Sequence, residues 1–307
     1  MRIGVTGAGG YIGSGLCKRL IELGFEVVMV DNFFNSQSRE VEGNTIIWAD
    51  VRNRYEMETM FRDCDVVVHL AAISGVADCD RMPDKAYDVN IVGTSNIAWV
   101  CRKYGIDLIF PSSMAVIGDP VELPVKSSHP RNPLNVYGFT KWVGERIIES
   151  FSKDRFNGLV FMKSNIYGEY EVDGRKISKS TVINIFVKKA KKGEALTVHK
   201  PGTQTRDFIH VLDVIDAYVK AIKNFPEGFS VITIGGGECL SILDIARMVQ
   251  KHSGGKTKII MLENPRKRET HTPNFEVDTV EAKRLIGFEA KRRVEDEVKR
   301  LLGDLGT

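Results

Sequence analysis

The sequence predicts an α/β fold, a doubly wound parallel sheet with a smaller, discontinuous α/β region toward the C-terminus. Three observations carry that prediction. Short apolar runs alternate with helical patterns along most of the 307 residues, as strands joined by helical crossovers do. The chain opens MRIGVTGAGGYIG, a strand running into three glycines spaced three apart at the entry to a helix. Residues 65–70, DVVVHL, are almost continuously apolar, which suits a strand covered on both faces.

Composition narrows the class. A hydrophobic fraction of 43% in 307 residues supplies one large or two modest cores. The 43 basic and 40 acidic residues nearly cancel and are scattered, which argues against a dedicated nucleic-acid surface. The basic run at 188–192 reads as the solvated end of a helix. Cys17, Cys64, Cys79, Cys101 and Cys239 show no paired metal-type spacing and are expected to be buried or idle thiols in a reducing compartment, with no metal. No apolar stretch is long enough for a bilayer and the first residues read as a strand, so the expected location is cytoplasmic.

The elements follow in order. After a first strand at 2–6, Gly7, Gly10 and Gly13 lead into a helix through Ser14, Leu16, Leu20 and Leu23, with Gly24 as its stop. Glycine permits the sharp turn, and the helix N-terminus meets an anion with free N–H groups and its positive dipole end. A second strand at 25–30 ends in Asp31, eighteen residues after Gly13, where a carboxylate can accept both hydroxyls of a ribose. Together these features read as a nucleotide site. A third strand at 45–48 delivers Asp50 and Val51 toward the adenine edge, and Asp50 is equally placed to cap a helix at 52–61. The strand at 65–70 ends in Ala71 and Ala72, small enough for close approach at the ligand-binding edge. A long helix is expected over about 83–104, stopped by Gly105. Asn90 lies inside it, as a poor helix former that reads as a structural hydrogen-bonding residue.

The strand begun at 108–110 delivers Ser112 and Ser113. The next helix starts after Asn135 and carries Tyr137 and Lys141, which four-residue spacing puts on one face. Tyrosine is a weak base near neutrality, but an adjacent ammonium lowers its pKa, and Ser113 could hydrogen-bond the same substrate oxygen. Such a pair also arises by accident. Its position after a complete nucleotide unit and a serine pair turns the reading toward chemistry. Beyond a strand at 158–162, residues 168–180 are polar and glycine-containing, either a mobile loop over a site or a variable connection. Helices are expected at 182–190, 211–223, 241–252, 278–286 and 294–302, with strands at 196–199 and 232–234. Gly235, Gly236 and Gly237 read as a turn. Arg266, Lys267 and Arg268 form a late basic segment.

Taken together, TGAGGYIG, Asp31, the pair Asp50 and Val51, HLAA at 69–72, VNIVGTSN at 89–96, PSS at 111–113, YGFTK at 137–141, SNIYG at 164–168 and TRDFIHVLD at 205–213 resemble the extended short-chain dehydrogenase/reductase family, and within it the UDP-sugar 4-epimerases. The resemblance covers essentially the whole chain. It implies a Rossmann-type sheet and NAD as cofactor, with residues 1–165 and 207–232 binding NAD and 166–206 and 233–307 binding the UDP-sugar. Gly7, Gly10 and Gly13 would hold the pyrophosphate, Asp31 the adenine ribose, and Asp50 and Val51 the adenine. Tyr11, Ile12, Asn32, Leu70, Ala71, Ala72, Asn90 and Ser112 would complete the cofactor set, and Lys141 would also bind the nicotinamide ribose. Ser113 and Tyr137 would contact the hydroxyl being oxidised. Asn165, Arg206 and either Arg266 or Arg268 would hold the diphosphate, for which a guanidinium fork is suited. The resemblance also implies a homodimer through the helices at 83–104 and 135–156.

The sequence departs from the family pattern at Ile117, where tyrosine is usual, and at Met162, where arginine is common. Relatives that dehydrate or decarboxylate their substrates usually place an acidic residue after the catalytic hydroxyl; Met114 and Ala115 stand there. The expectation is therefore reversible C4 inversion of a UDP-hexose such as UDP-glucose or UDP-galactose. Uncharged Asn32 and Phe33 beside Asp31 favour NAD over its 2'-phosphorylated form. N-acetylated and uronic-acid sugars, other sugar-nucleotide chemistry, and a non-catalytic nucleotide sensor are the alternatives.

Overall fold

The computed structural model describes residues 1–264, 272 and 274–303. Its central sheet has seven strands: β1 (Arg2–Thr6), β2 (Glu26–Asp31), β3 (Ile47–Trp48), β4 (Val66–His69), β5 (Asp107–Ser113), β6 (Gly158–Lys163) and β7 (Phe229–Ile234). They lie in the order β3-β2-β1-β4-β5-β6-β7, and every pairing is parallel. The chain winds outward from β1 one way and then the other, giving a Rossmann-type doubly wound sheet with its switch point between β1 and β4. Open sheets of this kind bind ligands at that carboxyl edge. All four residues of β4 and all six of β6 are buried, which explains their unbroken apolar runs. Side chains alternate between two cores, Ile3, Val5, Val68 and Phe161 on one face and Val67, Leu108, Phe110 and Val160 on the other.

Beside the sheet, Thr205–His210 pairs with Asn165–Tyr167 and Cys239–Ser241, and Leu196–His199 pairs with Ile259–Leu262. Tyr167, Ile183, Phe186, Phe208, Ile245 and Val298 belong to a third core. The glycine run at 235–237 is a turn seated on Asp207, whose carboxylate accepts from Gly236 and Gly237 N–H groups, both at 2.8 Å. Cys17, Cys64, Cys79 and Cys101 are buried free thiols, and Cys239 is partly exposed. Among the described residues no helix is long and apolar enough to cross a membrane.

Four expectations are corrected. Only Ile47–Trp48 of the third strand joins the sheet; Asn44–Thr45 turns back antiparallel on Glu40–Val41. The following helix is Arg54–Phe61 and its cap is Asn53, which accepts from Tyr55 and Glu56 N–H groups; Asp50 is engaged elsewhere. The stretch expected as one α-helix is Pro83–Tyr87, a π-helical Asp88–Gly93 and α-helical Thr94–Tyr104. Gly93 lies so close to Val51 that a Cβ there would sit 2.6 Å from its side chain. Residues 168–180 contain an ordered hairpin, Glu169–Val172 with Arg175–Ser178. Tyr170 fixes it to the first helix, accepting from Gly15 N–H at 3.0 Å and donating to the Tyr11 carbonyl. The hairpin reads as polar because only Val172 and Ile177 are fully buried.

Candidate active site

A single cavity of about 1110 Å³ opens along the carboxyl edge of the sheet. One drug-sized ligand typically occupies a pocket of ~300–1,000 Å³, and this cavity is larger than that range. At one end stands the glycine turn. Gly7 has φ +67, and a Cβ on it would sit 2.8 Å from the Ala71 backbone nitrogen. A Cβ on Gly13 would strike the Gly7 carbonyl, so both positions demand glycine. The helix Gly13–Glu22 has no side-chain cap, which leaves its N-terminal dipole available to an anion. Gly7, Gly10, Tyr11, Ile12 and Gly13 all line the cavity. Asp31 closes this end from the tip of β2, its carboxylate accepting from Gly9 N–H at 3.0 Å and Phe33 N–H at 2.8 Å. Each oxygen retains a second lone pair for a ribose hydroxyl.

Asn32, Val51, Leu70, Ala71 and Ala72 line the same region. Asp50 and Asn90 do not belong to the lining. Asp50 accepts from Arg52 and from Asn32 Nδ2 at 3.1 Å, and Arg52 above all holds its carboxyl down at about 2. Asn90 is buried, donating to the Ile73 carbonyl and Thr140 hydroxyl, each at 3.0 Å, and accepting from Ile73 N–H at 2.8 Å. It braces the wall behind Lys141, in keeping with the structural reading of that residue. Thr6 likewise ties β1 to the segment after β4, its hydroxyl taking the Ala71 N–H at 3.1 Å and meeting His69 Nδ1 at 2.8 Å. Burial drives His69 down to about 3, so the imidazole is neutral.

Ser112, Ser113, Tyr137 and Lys141 come together at the middle of the cavity. The serines arrive on β5. Tyr137 and Lys141 arrive on the helix Val136–Ser152, whose cap Asn135 accepts from Gly138 N–H at 2.8 Å. A Cβ on Gly138 would strike the Ala115 carbonyl, so glycine lets this helix press against the chain leaving β5. Ser112 turns away from the chemistry and donates to Glu145, which also accepts from Arg131 Nε at 3.0 Å. Both members of that ion pair are largely buried. Lys141 is 4% exposed, with Nζ 4.8 Å from the centre of the Phe110 ring, and burial brings it down to about 8. Tyr137 is pushed up to about 12 by burial, which outweighs the downward pull of the Ser113 hydroxyl. The lowering expected from Lys141 is not seen: Ser113 alone pulls the phenol down, and burial prevails.

The opposite wall carries Asn165 and Arg206 on neighbouring strands that pair in register, Asn165 with Phe208. Arg206 donates to the Thr205 carbonyl at 2.7 Å and lies 5.8 Å over the Phe275 ring. Arg266 and Arg268 lie outside the described residues. Sequence reasoning missed Lys163, Lys179 and Ser74, all in the lining. A lysine ending the buried strand GLVFMK was the available signal for the first; Lys179 falls in the 168–180 stretch read as a loop over a site, and Ser74 in the 74–77 stretch, but neither residue was singled out.

A family model described as the NAD dependent epimerase/dehydratase family matches residues 3–235. The chain is 32% identical to the putative UDP-glucose 4-epimerase of Methanocaldococcus jannaschii, over 97% of this chain and 96% of that protein. It is 30% identical to UDP-glucuronic acid decarboxylase 6 of Arabidopsis thaliana, over 96% and 86%. Among solved structures, the UDP-glucose 4-epimerase of Thermotoga maritima with UDP-glucose gives a TM-score of 0.88 at 27% identity, covering 99% of this chain and 98% of that one. With the glycine turn, Asp31, Ser113, Tyr137 and Lys141 gathered around one cavity, this chain belongs to the NAD-dependent epimerase/dehydratase family.

Proposed function

We propose that this protein inverts C4 of a UDP-hexose reversibly, with NAD as a cofactor that is regenerated in each cycle and UDP-glucose and UDP-galactose as the reference pair. The observation that carries the reading is the convergence of Ser113, Tyr137 and Lys141 in the cavity that also holds Asp31 and Arg206. The residues present fit NAD: Gly7, Gly10 and Gly13 would take its pyrophosphate and Asp31 its adenosine ribose. Bound there, NAD supplies a reversible hydride acceptor for the sugar carbon. Tyr137 Oη, once ionised, takes the proton of the 4-hydroxyl and later returns it. The Ser113 hydroxyl holds the same oxygen, and Lys141 keeps positive charge beside the phenolate. Asn165 and Arg206, with an arginine of the 266–268 segment, anchor the diphosphate while the 4-keto sugar turns to present its other face.

Met114, 9% exposed, and Ala115 follow Ser113 with no carboxylate. This favours inversion over the added proton transfers of dehydration or decarboxylation. In the same reading, residues 1–165 and 207–232 serve NAD, and 166–206 and 233–307 serve the sugar nucleotide. Two copies pair through the faces on which Tyr87, Val92 and Phe139 are exposed. The test is a panel of UDP-sugars incubated with NAD-supplied protein, with products identified by chromatography and mass. Conversion between C4 epimers at constant mass is expected; no epimer from any UDP-hexose, or loss of water or carbon dioxide, would overturn it.

A further inference from the structure

Two lysines stand near the reacting residues of the cavity without a place in the chemistry just described. Lys163 ends β6 in register with Ser113 on β5 and is 8% exposed. Its ammonium lies 3.4 Å from the Tyr218 hydroxyl, a neutral and distant partner. Lys179 follows the hairpin, reaches across the cleft and donates to Ser74 Oγ at 2.9 Å. Both line the cavity with Lys141, and among the described residues none of the three forms an ion pair. Of the acidic residues in the same lining, Asp78 pairs with Arg81 at 2.6 Å and its charge also reaches Lys179, Asp31 accepts two backbone N–H groups at the far end, and Asp207 accepts those of Gly236 and Gly237.

For Lys163, a buried ammonium without a counter-charge is costly, and the cost is offset when an anion arrives with the ligand; Lys179, exposed at the cleft, adds a second donor within reach of that anion. Burial first, then Lys141 and Lys179, hold Lys163 well below the ordinary lysine range; a neighbouring anion would act in the opposite direction. The diphosphate is served by Arg206 on the other wall, so it does not account for cations in register with Ser113. We infer that Lys163 and Lys179 form a carboxylate subsite beside Lys141, and that the preferred substrate is a nucleotide hexuronate, a sugar carrying a carboxylate at C6. This rests on the nucleotide-sugar reading of the cavity and narrows it.

The test is calorimetric titration of the NAD-supplied 307-residue chain with UDP, UDP-glucose and UDP-glucuronate. UDP-glucuronate is expected to bind roughly tenfold or more tighter than UDP-glucose, the scale of one charge-assisted hydrogen bond. Lys163→Met and Lys179→Met should each remove most of that preference and leave UDP affinity within about twofold, the loss being confined to one hydrogen bond. Lys179 is exposed, so its variant serves as the test should Lys163→Met fail to fold. UDP-glucuronate binding no tighter than UDP-glucose, with UDP bound normally, overturns the carboxylate subsite and leaves the nucleotide-sugar reading standing. Failure of UDP itself to bind overturns that reading and this inference with it.

Discussion

Ionisation of Tyr137 is the step on which the proposed chemistry turns, and the ligand-free protein opposes it. With a pKa of about 12, the phenol at pH 8 is ionised in roughly one molecule in 10⁴. Bringing it to half ionisation there requires about 5 kcal/mol, four units at ~1.36 kcal/mol each. Lys141 titrates at about 8 itself, so at that pH half of the molecules lack its charge. The perturbation is therefore pH, and the assay is the tyrosinate absorbance of wild type minus that of Tyr137→Phe, which isolates one tyrosine of eight. In ligand-free protein no inflection assigned to Tyr137 should occur below about pH 11, reflecting its buried state. NAD⁺ brings a further positive charge, and its addition should move the inflection down by at least ~2 units. An inflection below pH 9 without cofactor would refute the reasoning, since burial would then not be the dominant influence.

Lys141→Met should stabilise the ligand-free protein while abolishing turnover. The folded pKa of about 8 lies below the ordinary 10.5, so the destabilisation is full below pH 8, at most ~3 kcal/mol, and gone above 10.5. Urea unfolding at pH 7 and pH 10 reads it: the variant's advantage should shrink at the higher pH. Glu145→Ala removes the carboxylate from Arg131, which keeps only the Ser127 and His129 carbonyls, and from Ser112, and should lower stability by about 3–5 kcal/mol. Arg131→Met combined with Glu145→Leu should recover most of that loss, as a double-mutant cycle would show. Tyr170→Phe strips partners from the Gly15 N–H and the Tyr11 carbonyl. It should reduce stability by ~1–3 kcal/mol in the same assay.

The parts of the site that the sequence makes legible are those whose geometry is local. Gly7 to Gly13 must turn where they do because the backbone itself would collide with a side chain. Tyr137 and Lys141 share a face because helical spacing puts them there, and Asn135 caps that helix as a short polar side chain does. The hairpin around Tyr170 was not legible, since its hydroxyl takes partners some 155 residues earlier in the chain. Asn53 displaced Asp50 as a cap because Asp50 is held by Asn32 and Arg52, a competition that capping preference alone does not register. At the π-helical turn around Asn90, Gly93 lies against Val51, some forty residues earlier in the chain, a contact that local helix propensity does not register. Lys163 and Lys179 gain meaning only when β6 and the hairpin bring them to one cavity, far apart from Lys141 in sequence.

The central claim is that the hydrogen removed from C4 is carried within the site and returned to the same carbon. The direct measurement uses a UDP-hexose deuterated at C4, incubated with NAD-supplied protein in ordinary water and followed by mass spectrometry and NMR. The account predicts a C4 epimer that retains its deuterium at C4. Deuterium lost to solvent, or found at another carbon, would contradict it.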